Sequence, residues 1–285
     1  MKKRILLMVS LCLLFTGCRK EPDYAQAAPD IADSFPIQAE PVKENPQTAQ
    51  SDGPYAVLHT TAGDMTILLY PEQAPKAVDN FITHAREGYY EGTLFHYAKK
   101  GDLTQTGLPG ISEEEEQSIW GEPFENEFSD GLHHYPGAVG MANTFGNQSQ
   151  FYLLVKTTTP DDERIVPANL YMNELVNQRT AELKALTEQE SRSVEELQQF
   201  EDDLNEEIQA IATDGIPKEY KKKYEPVIEK YNRLGGGWSL DYKNTVFGQI
   251  VEGFNVAQAI TEVKVEASTR KPKKDVVIYS IEIME

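Results

Sequence analysis

Side chains able to do chemistry are unevenly spread along this 285-residue chain. Glu113, Glu114, Glu115 and Glu116 offer four carboxylates in a row, but nothing in the run fixes a coordination geometry. They read as a solvated acidic loop, and no metal site is assigned. His133 and His134 are adjacent and read as part of a loop or strand edge rather than as two ligands of one ion. Only two thiols occur, Cys12 and Cys18. A polar Gly/Asn turn, Asn143 to Ser149, is enclosed by the strand-like runs Ala138 to Ala142 and Gln150 to Val155. Taken alone, this is a β-hairpin with a roomy loop, in which Gly146 and Asn147 tolerate the positive φ of a tight reversal. Gln150 by itself would be a polar residue on an exposed face, and Tyr97 an ordinary aromatic strand residue.

The elements that would position these groups begin near residue 55. Tyr55-Ala-Val-Leu-His-Thr60 and Met65-Thr-Ile-Leu-Leu-Tyr70 are β-rich, with Ala62-Gly63-Asp64 as the turn. A helix follows over residues 76–87, with Val78, Phe81, Ile82 and Ala85 on one face, Pro75 in its first turn and Gly88 closing it. In the hairpin, alternation sends Met141 and Phe151 into the core. Residues 254–262 form a short helix, and the alternating run from Lys271 to Ile283 closes the sheet.

Residues 1–17 lie outside the fold. Lys2, Lys3 and Arg4 precede an apolar run from Ile5 to Phe15 that is too short to span a bilayer. Phe15-Thr-Gly-Cys18 is similar to a bacterial lipobox, which implies cleavage before Cys18, lipid on that thiol, and a membrane-anchored, extracytoplasmic protein. With Cys12 removed and Cys18 blocked, disulfides, thiol catalysis and cysteine metal sites are excluded. Loss of the three cations takes the net charge from −19 to −22. Such a balance argues against nucleic-acid binding. Residues 18–54, beginning with the lipidated Cys18, lack apolar periodicity and read as a disordered tether with a reach of roughly 30 Å.

The order Gly137-x-x-x-Met141-Ala-Asn143 then Ser149-Gln-Phe-Tyr152 resembles the signature of cyclophilins, the barrel-shaped peptidyl-prolyl isomerases. The preceding strands and helix, Phe95-His96, and Val246-Phe-Gly-Gln249 fit the same family, so the resemblance covers residues 55–155 and 238–285. It implies a mainly β domain over 55–285, a closed antiparallel β-barrel capped by two helices. It also implies a groove for proline-containing peptide segments and requires no cofactor. By resemblance the catalytic positions are Tyr97, Gln105 and Asn143. Substrate-binding positions are Leu103, Ala142, Gln150, Tyr152 as pocket floor, Trp238 or its neighbour Ser239 at the rim, Leu240 and Asn244. Three of these positions, and Asp102, depart from the family pattern. Tyr97 stands where an arginine is usual, Asp102 where an aromatic wall is usual, Asn244 for His and Tyr152 for Phe. An X–Pro bond isomerises over a barrier of ~20 kcal/mol set by amide resonance. A guanidinium aimed at the prolyl nitrogen stabilises the lone pair that returns as resonance is lost. A tyrosine hydroxyl is neutral and donates one hydrogen bond, so weakened activity is expected.

Residues 156–237 interrupt the family pattern. Met172, Leu175, Val176, Leu183 and Leu186 share one helical face; Val194, Leu197, Phe200, Leu204, Ile208 and Ile211 share another. Ser191 to Ser193 is the turn of an antiparallel helical hairpin, with Ser193 and Glu196 spaced as a capping box. A third helix with Pro226 near its start ends at Gly235-Gly-Gly237. Two functions are compatible with these residues: a lipid-anchored isomerase that assists folding of secreted proteins, or a non-catalytic module that holds proline-containing segments while the insertion engages clients.

Overall fold

Alternation along Tyr55–Thr60 (β1) buries every second side chain, and the chain turns through Thr61 and Ala62 into Gly63–Leu69 (β2). The computed structural model describes residues 30–109, 116–142, 146–187 and 194–285. Pro75–Arg86 (α1) starts where its proline lacks no needed donor, and it buries Ala77, Val78, Phe81 and Ala85. Tyr97–Lys99 (β3), Leu103–Thr106 (β4), Ala138–Met141 (β5) and Phe151–Leu154 (β6) follow. The insertion supplies Ile165–Thr187 (α2), Val194–Asp214 (α3), Lys218–Lys223 (α4) and Glu225–Leu234 (α5). The chain then completes the sheet with Val246–Glu252 (β7), Phe254–Glu262 (α6) and Ile278–Met284 (β8).

The eight strands form one antiparallel sheet in the order β3-β4-β6-β5-β7-β2-β1-β8. Its concave side holds Leu58, Met65, Ile67, Phe95, Met141, Phe151 and Phe247, together with Phe81 of α1 and Ile260 of α6. The Phe81 ring lies 5.3–5.5 Å from those of Tyr90, Phe151 and Phe247, so α1 and the sheet share one aromatic centre.

The expected barrel closure is corrected: the sheet curls into a half-barrel. The chain just before β3 meets the start of β8 at the bridge Leu94 to Val277, with backbone hydrogen bonds from Gly92 to Ile278, Ile278 to Thr93 and Phe95 to Val276. Beyond it, the Ala98 amide of β3 donates to the Arg270 carbonyl. The segment 263–274 thus occupies the edge that β8 would have used. That contact still satisfies a strand edge, which sheets do not leave bare at no cost.

The expected tether to residue 54 is corrected for residues 30–54, which lie along the sheet. Ile37 and Val42 donate amides to the Ala62 and Val251 carbonyls, and Gly253 donates to Glu40. Gln47 is buried; its side chain accepts from the His133 amide and donates to the His133 carbonyl and to Gln249, at 2.8–2.9 Å. Backbone pairing and a few buried amides hold the segment, which a count of apolar residues does not register. Residues 18–29 lie outside the described residues.

The helical pair of the insertion is present, with its turn and capping box outside the described residues. The expected face of α2 packs only in part. Val166, Leu170, Tyr171 and Leu175 are buried, whereas Val176 is exposed. The first half of α2 packs beside the turn Trp238–Leu240 and α5, and Asn173 donates to the Ser239 and Asp241 carbonyls. Farther along, Arg179 joins α2 to Glu207 of α3. The third helix is divided into α4 and α5 at Tyr224, before Pro226.

Gln47→Ala is expected to lower folding stability by about 1–3 kcal/mol, because it leaves the buried His133 amide without its acceptor. Thermal unfolding checks it; an unchanged midpoint would restore the free tether.

Candidate groove and its buried support

Five strands place one residue each on a transverse row. Tyr97 pairs with Gln105, Gln105 with Tyr152, Tyr152 with Gly140, and Gly140 with Val246. Directly opposed residues point to the same side of a sheet. The row therefore marks the convex face, opposite the core that holds Met141 and Phe151. On that face Tyr152, Leu154, Val246 and Leu68 form a second apolar cluster, with Leu103, Ala142 and Leu240 half-exposed against it. Of the predicted positions, Tyr97, Gln105 and Tyr152 thus share one transverse row, and Leu103, Ala142 and Leu240 pack against the apolar cluster that holds Tyr152. Gly140 makes this possible: a Cβ there would lie 2.4 Å from the Tyr152 hydroxyl oxygen, so only glycine lets the ring lie flat.

The structure places the other predicted residues as follows. Asn143 lies outside the described residues. Asn244 donates to the Met141 carbonyl at 3.1 Å and holds the end of β5 just before Ala142. Trp238 packs away from the groove cluster, beside Tyr231 of α5, with the Lys156 ammonium 4.7 Å from its ring. Asp102 is paired with Lys99 at 2.8 Å, an ion pair where the family pattern has an aromatic wall. Gln150 is buried, and its backbone amide and side-chain amide both donate to Glu116, at 3.2 and 2.7 Å. Glu116 is itself buried, which corrects its reading as part of a solvated run. Glu113 to Glu115 lie outside the described residues.

The support beneath Tyr152 was not legible as such. Asp241 is fully enclosed, and its carboxylate meets three side chains: His133 Nδ1 at 2.9 Å, His134 Nδ1 at 2.6 Å and the Tyr231 hydroxyl at 2.7 Å. It also accepts the His134 backbone amide at 2.9 Å. The other nitrogen of His134, Nε2, lies 2.6 Å from the Tyr152 hydroxyl. His134 thus bridges Asp241 and Tyr152 through its two ring nitrogens. His133 differs: its Nε2 faces the Asp130 carbonyl at 3.1 Å, so both of its nitrogens meet acceptors. The histidines lie in the loop before β5, as expected, and there they are buried hydrogen-bond bridges. The signal available was two adjacent histidines in a chain with only five.

Burial opposes ionisation of Asp241, but the charge and hydrogen bonds of His133 and His134 outweigh it and hold the carboxyl well below its ordinary range. The Tyr152 and Tyr231 phenols are pushed well above theirs, first by burial and then by the nearby Asp241 charge. Among the described residues no group of three or more histidine, cysteine or acidic side chains could hold a metal ion.

A family profile described as cyclophilin type peptidyl-prolyl cis-trans isomerase/CLD matches residues 55–168 and 228–283. Proteins of Staphylococcus saprophyticus and Staphylococcus epidermidis, provisionally named peptidyl-prolyl cis-trans isomerases, are each 34% identical over 237 residues, spanning 80% of this chain and 91% of theirs. A protein of the same provisional name from Staphylococcus aureus is 33% identical over the same length. Among solved structures, a Cryptosporidium parvum cyclophilin-type isomerase crystallised in the presence of the dipeptide Ala-Pro superposes with a TM-score of 0.50 at 19% identity. It covers 81% of this chain and 99% of its own, a likeness of fold. The chain belongs to the cyclophilin-type peptidyl-prolyl cis-trans isomerase family.

Asp241→Asn is expected to cost about 3–5 kcal/mol at neutral pH, because it leaves the buried histidines without their counter-charge. A folded-state pKa held below the unfolded value of about 3.9 gives stability that is complete above that value and fades as pH falls through it. The gap between wild type and variant should therefore narrow below about pH 4 in denaturant titrations. A gap constant with pH would show that the ionised carboxylate is not what matters.

Proposed function

We propose that this protein is a lipid-anchored prolyl isomerase that acts outside the membrane on proline-containing segments of secreted or surface proteins, at a rate lowered by Tyr97. The supporting observation is the row of Tyr97, Gln105 and Tyr152 on the convex face, bordered by Leu103, Ala142 and Leu240. A proline ring would rest on the apolar floor, while Gln105 hydrogen-bonds the peptide backbone. The Tyr97 hydroxyl would donate to the prolyl nitrogen as the amide twists. Loss of one preorganised charged donor corresponds to about 3 kcal/mol, on the order of a hundredfold in rate. The lipobox-like Phe15-Thr-Gly-Cys18 supports the anchor. The Cryptosporidium relative's dipeptide is in keeping with proline-containing ligands.

A second reading, a non-catalytic holder of proline-containing segments, draws on Glu116. Its carboxylate already occupies the Gln150 donors that the resemblance assigns to peptide backbone. The Lys99–Asp102 pair adds to this reading, since it replaces an apolar wall with charge.

Exchange NMR on a short X–Pro peptide separates the two. Tyr97→Phe should lower the exchange rate with little change in peptide affinity, and Tyr97→Arg should raise it by up to about a hundredfold. Peptide binding without any acceleration, in the wild type and in Tyr97→Arg alike, would leave the holder.

A further inference from the structure

The chain's charge is divided unevenly. Residues 263–274 hold five cations, Lys264, Arg270, Lys271, Lys273 and Lys274, against the single carboxylate Glu266. That stretch carries +4 in a chain that carries −19, and with the exposed Glu262 and Asp275 that flank it residues 262–275 carry +2. The stretch is a built element. Val265 bridges Pro272, the Lys273 amide donates to the Lys264 carbonyl, and the Glu266 amide donates to the Lys271 carbonyl. Val263 and Pro272 are buried beneath it, and the Ala98 amide ties it to the edge of β3. Lys264, Lys273 and Lys274 remain exposed, and the tip residues Ala267, Ser268 and Thr269 bear no charge.

A second observation gives this cationic hairpin a partner. The described chain begins at Asp30, whose side chain caps the short helical turn Ile31–Ser34. Asp33 of that turn is ion-paired with Lys274 of the hairpin. The N-terminal segment therefore leaves the domain beside the hairpin. Twelve residues, 18–29, separate Asp30 from the start of the segment at Cys18, and even fully extended they span at most about 43 Å. A lipid on Cys18 would hold this side of the domain near the bilayer. Clustered lysine and arginine side chains at such a distance are drawn to anionic headgroups, and an otherwise acidic body is repelled.

We propose that the hairpin 263–274 is a membrane-docking face that seats the domain on anionic phospholipid headgroups. The proximity argument rests on the lipid-anchored reading above; the charge and the rigidity of the hairpin do not. Docking sets an orientation. β3, which carries Tyr97, is the strand joined to the hairpin, so Tyr97 would lie on the side of the domain nearest the lipid surface.

The test uses the chain from residue 18 with Cys18→Ser, so that no lipid contributes, sedimented with vesicles of phosphatidylcholine alone or mixed with phosphatidylglycerol. Binding is expected only with phosphatidylglycerol and should fall steeply with salt. Replacing Lys264, Lys271 and Lys273 by Gln should weaken it on the order of a hundredfold, about fivefold per cation. The matched control replaces Lys218, Lys221 and Lys222 of α4 by Gln and should bind as the parent does; circular dichroism establishes that both variants fold. No phosphatidylglycerol dependence, or equal weakening by both triple variants, overturns the proposal. So does binding to poly-glutamate but not to vesicles. The mass of the chain extracted from membranes decides the anchor separately: without lipid on Cys18 the anchoring reading falls, and the vesicle result still decides the hairpin.

Discussion

A carboxylate sealed from water constrains more of this molecule than any apolar contact does. Asp241 lies on the return from the insertion, yet it is held by His133 and His134 from the loop before β5 and by Tyr231 from α5. Burying an isolated carboxylate is prohibitively costly, so these partners must be in place together. His134 then passes the constraint to Tyr152. Gln47 passes it from the His133 backbone to the N-terminal segment, and Asn173 adds α2 through the Asp241 carbonyl. The insertion is accordingly not a loose appendage at its root. Gly236 fits the same logic, because a Cβ there would meet the His134 carbonyl oxygen at 2.4 Å and only glycine lets the chain pass.

Much of the fold could be read in advance. The bounds of β1 and α6 coincide with the runs that predicted them, and the central hairpin follows the Gly/Asn turn signal. These are local features, set by alternation and turn chemistry. What escaped reading depends on distant partners. Residues 30–54 look like a tether because the groups that hold them, Ala62, Val251 and Gly131, are elsewhere in the chain. The open edge between β3 and β8 escaped for a similar reason, since a basic hairpin with no strand pattern takes the place of a ladder.

The groove shows the same division. Gln105 and Tyr152 are opposed across two strands, and Leu103, Ala142 and Leu240 pack against the Tyr152 cluster, a placement set by strand register. Glu116 was hidden among four identical carboxylates, and only three-dimensional proximity to Gln150 sets it apart. Tyr152 and His134 form a matched pair: a hydroxyl on a buried floor is costly unless it has a hydrogen-bond partner, and the imidazole is one. The departure from the family's Phe and the buried histidine are one feature seen from two places in the chain. Asp102 and Lys99 are likewise paired, so that wall of the groove is ionic in place of aromatic.

The strap of residues 30–54 also bears on the order in which the molecule can assemble. Its hydrogen bonds reach β7 and the residue just after it, with Gln47 and Gln249 separated by 202 positions, and β1 is paired with β8, the last strand. Contacts of such separation form slowly, because a long loop must close before they return any stabilisation. The portion made first therefore waits, exposed, for the portion made last. Until then β1 has only β2 beside it, and its other edge can pair with foreign strands. A protein of the isomerase family is thus itself a demanding folding problem, with its maturation timed by the arrival of its own C-terminus.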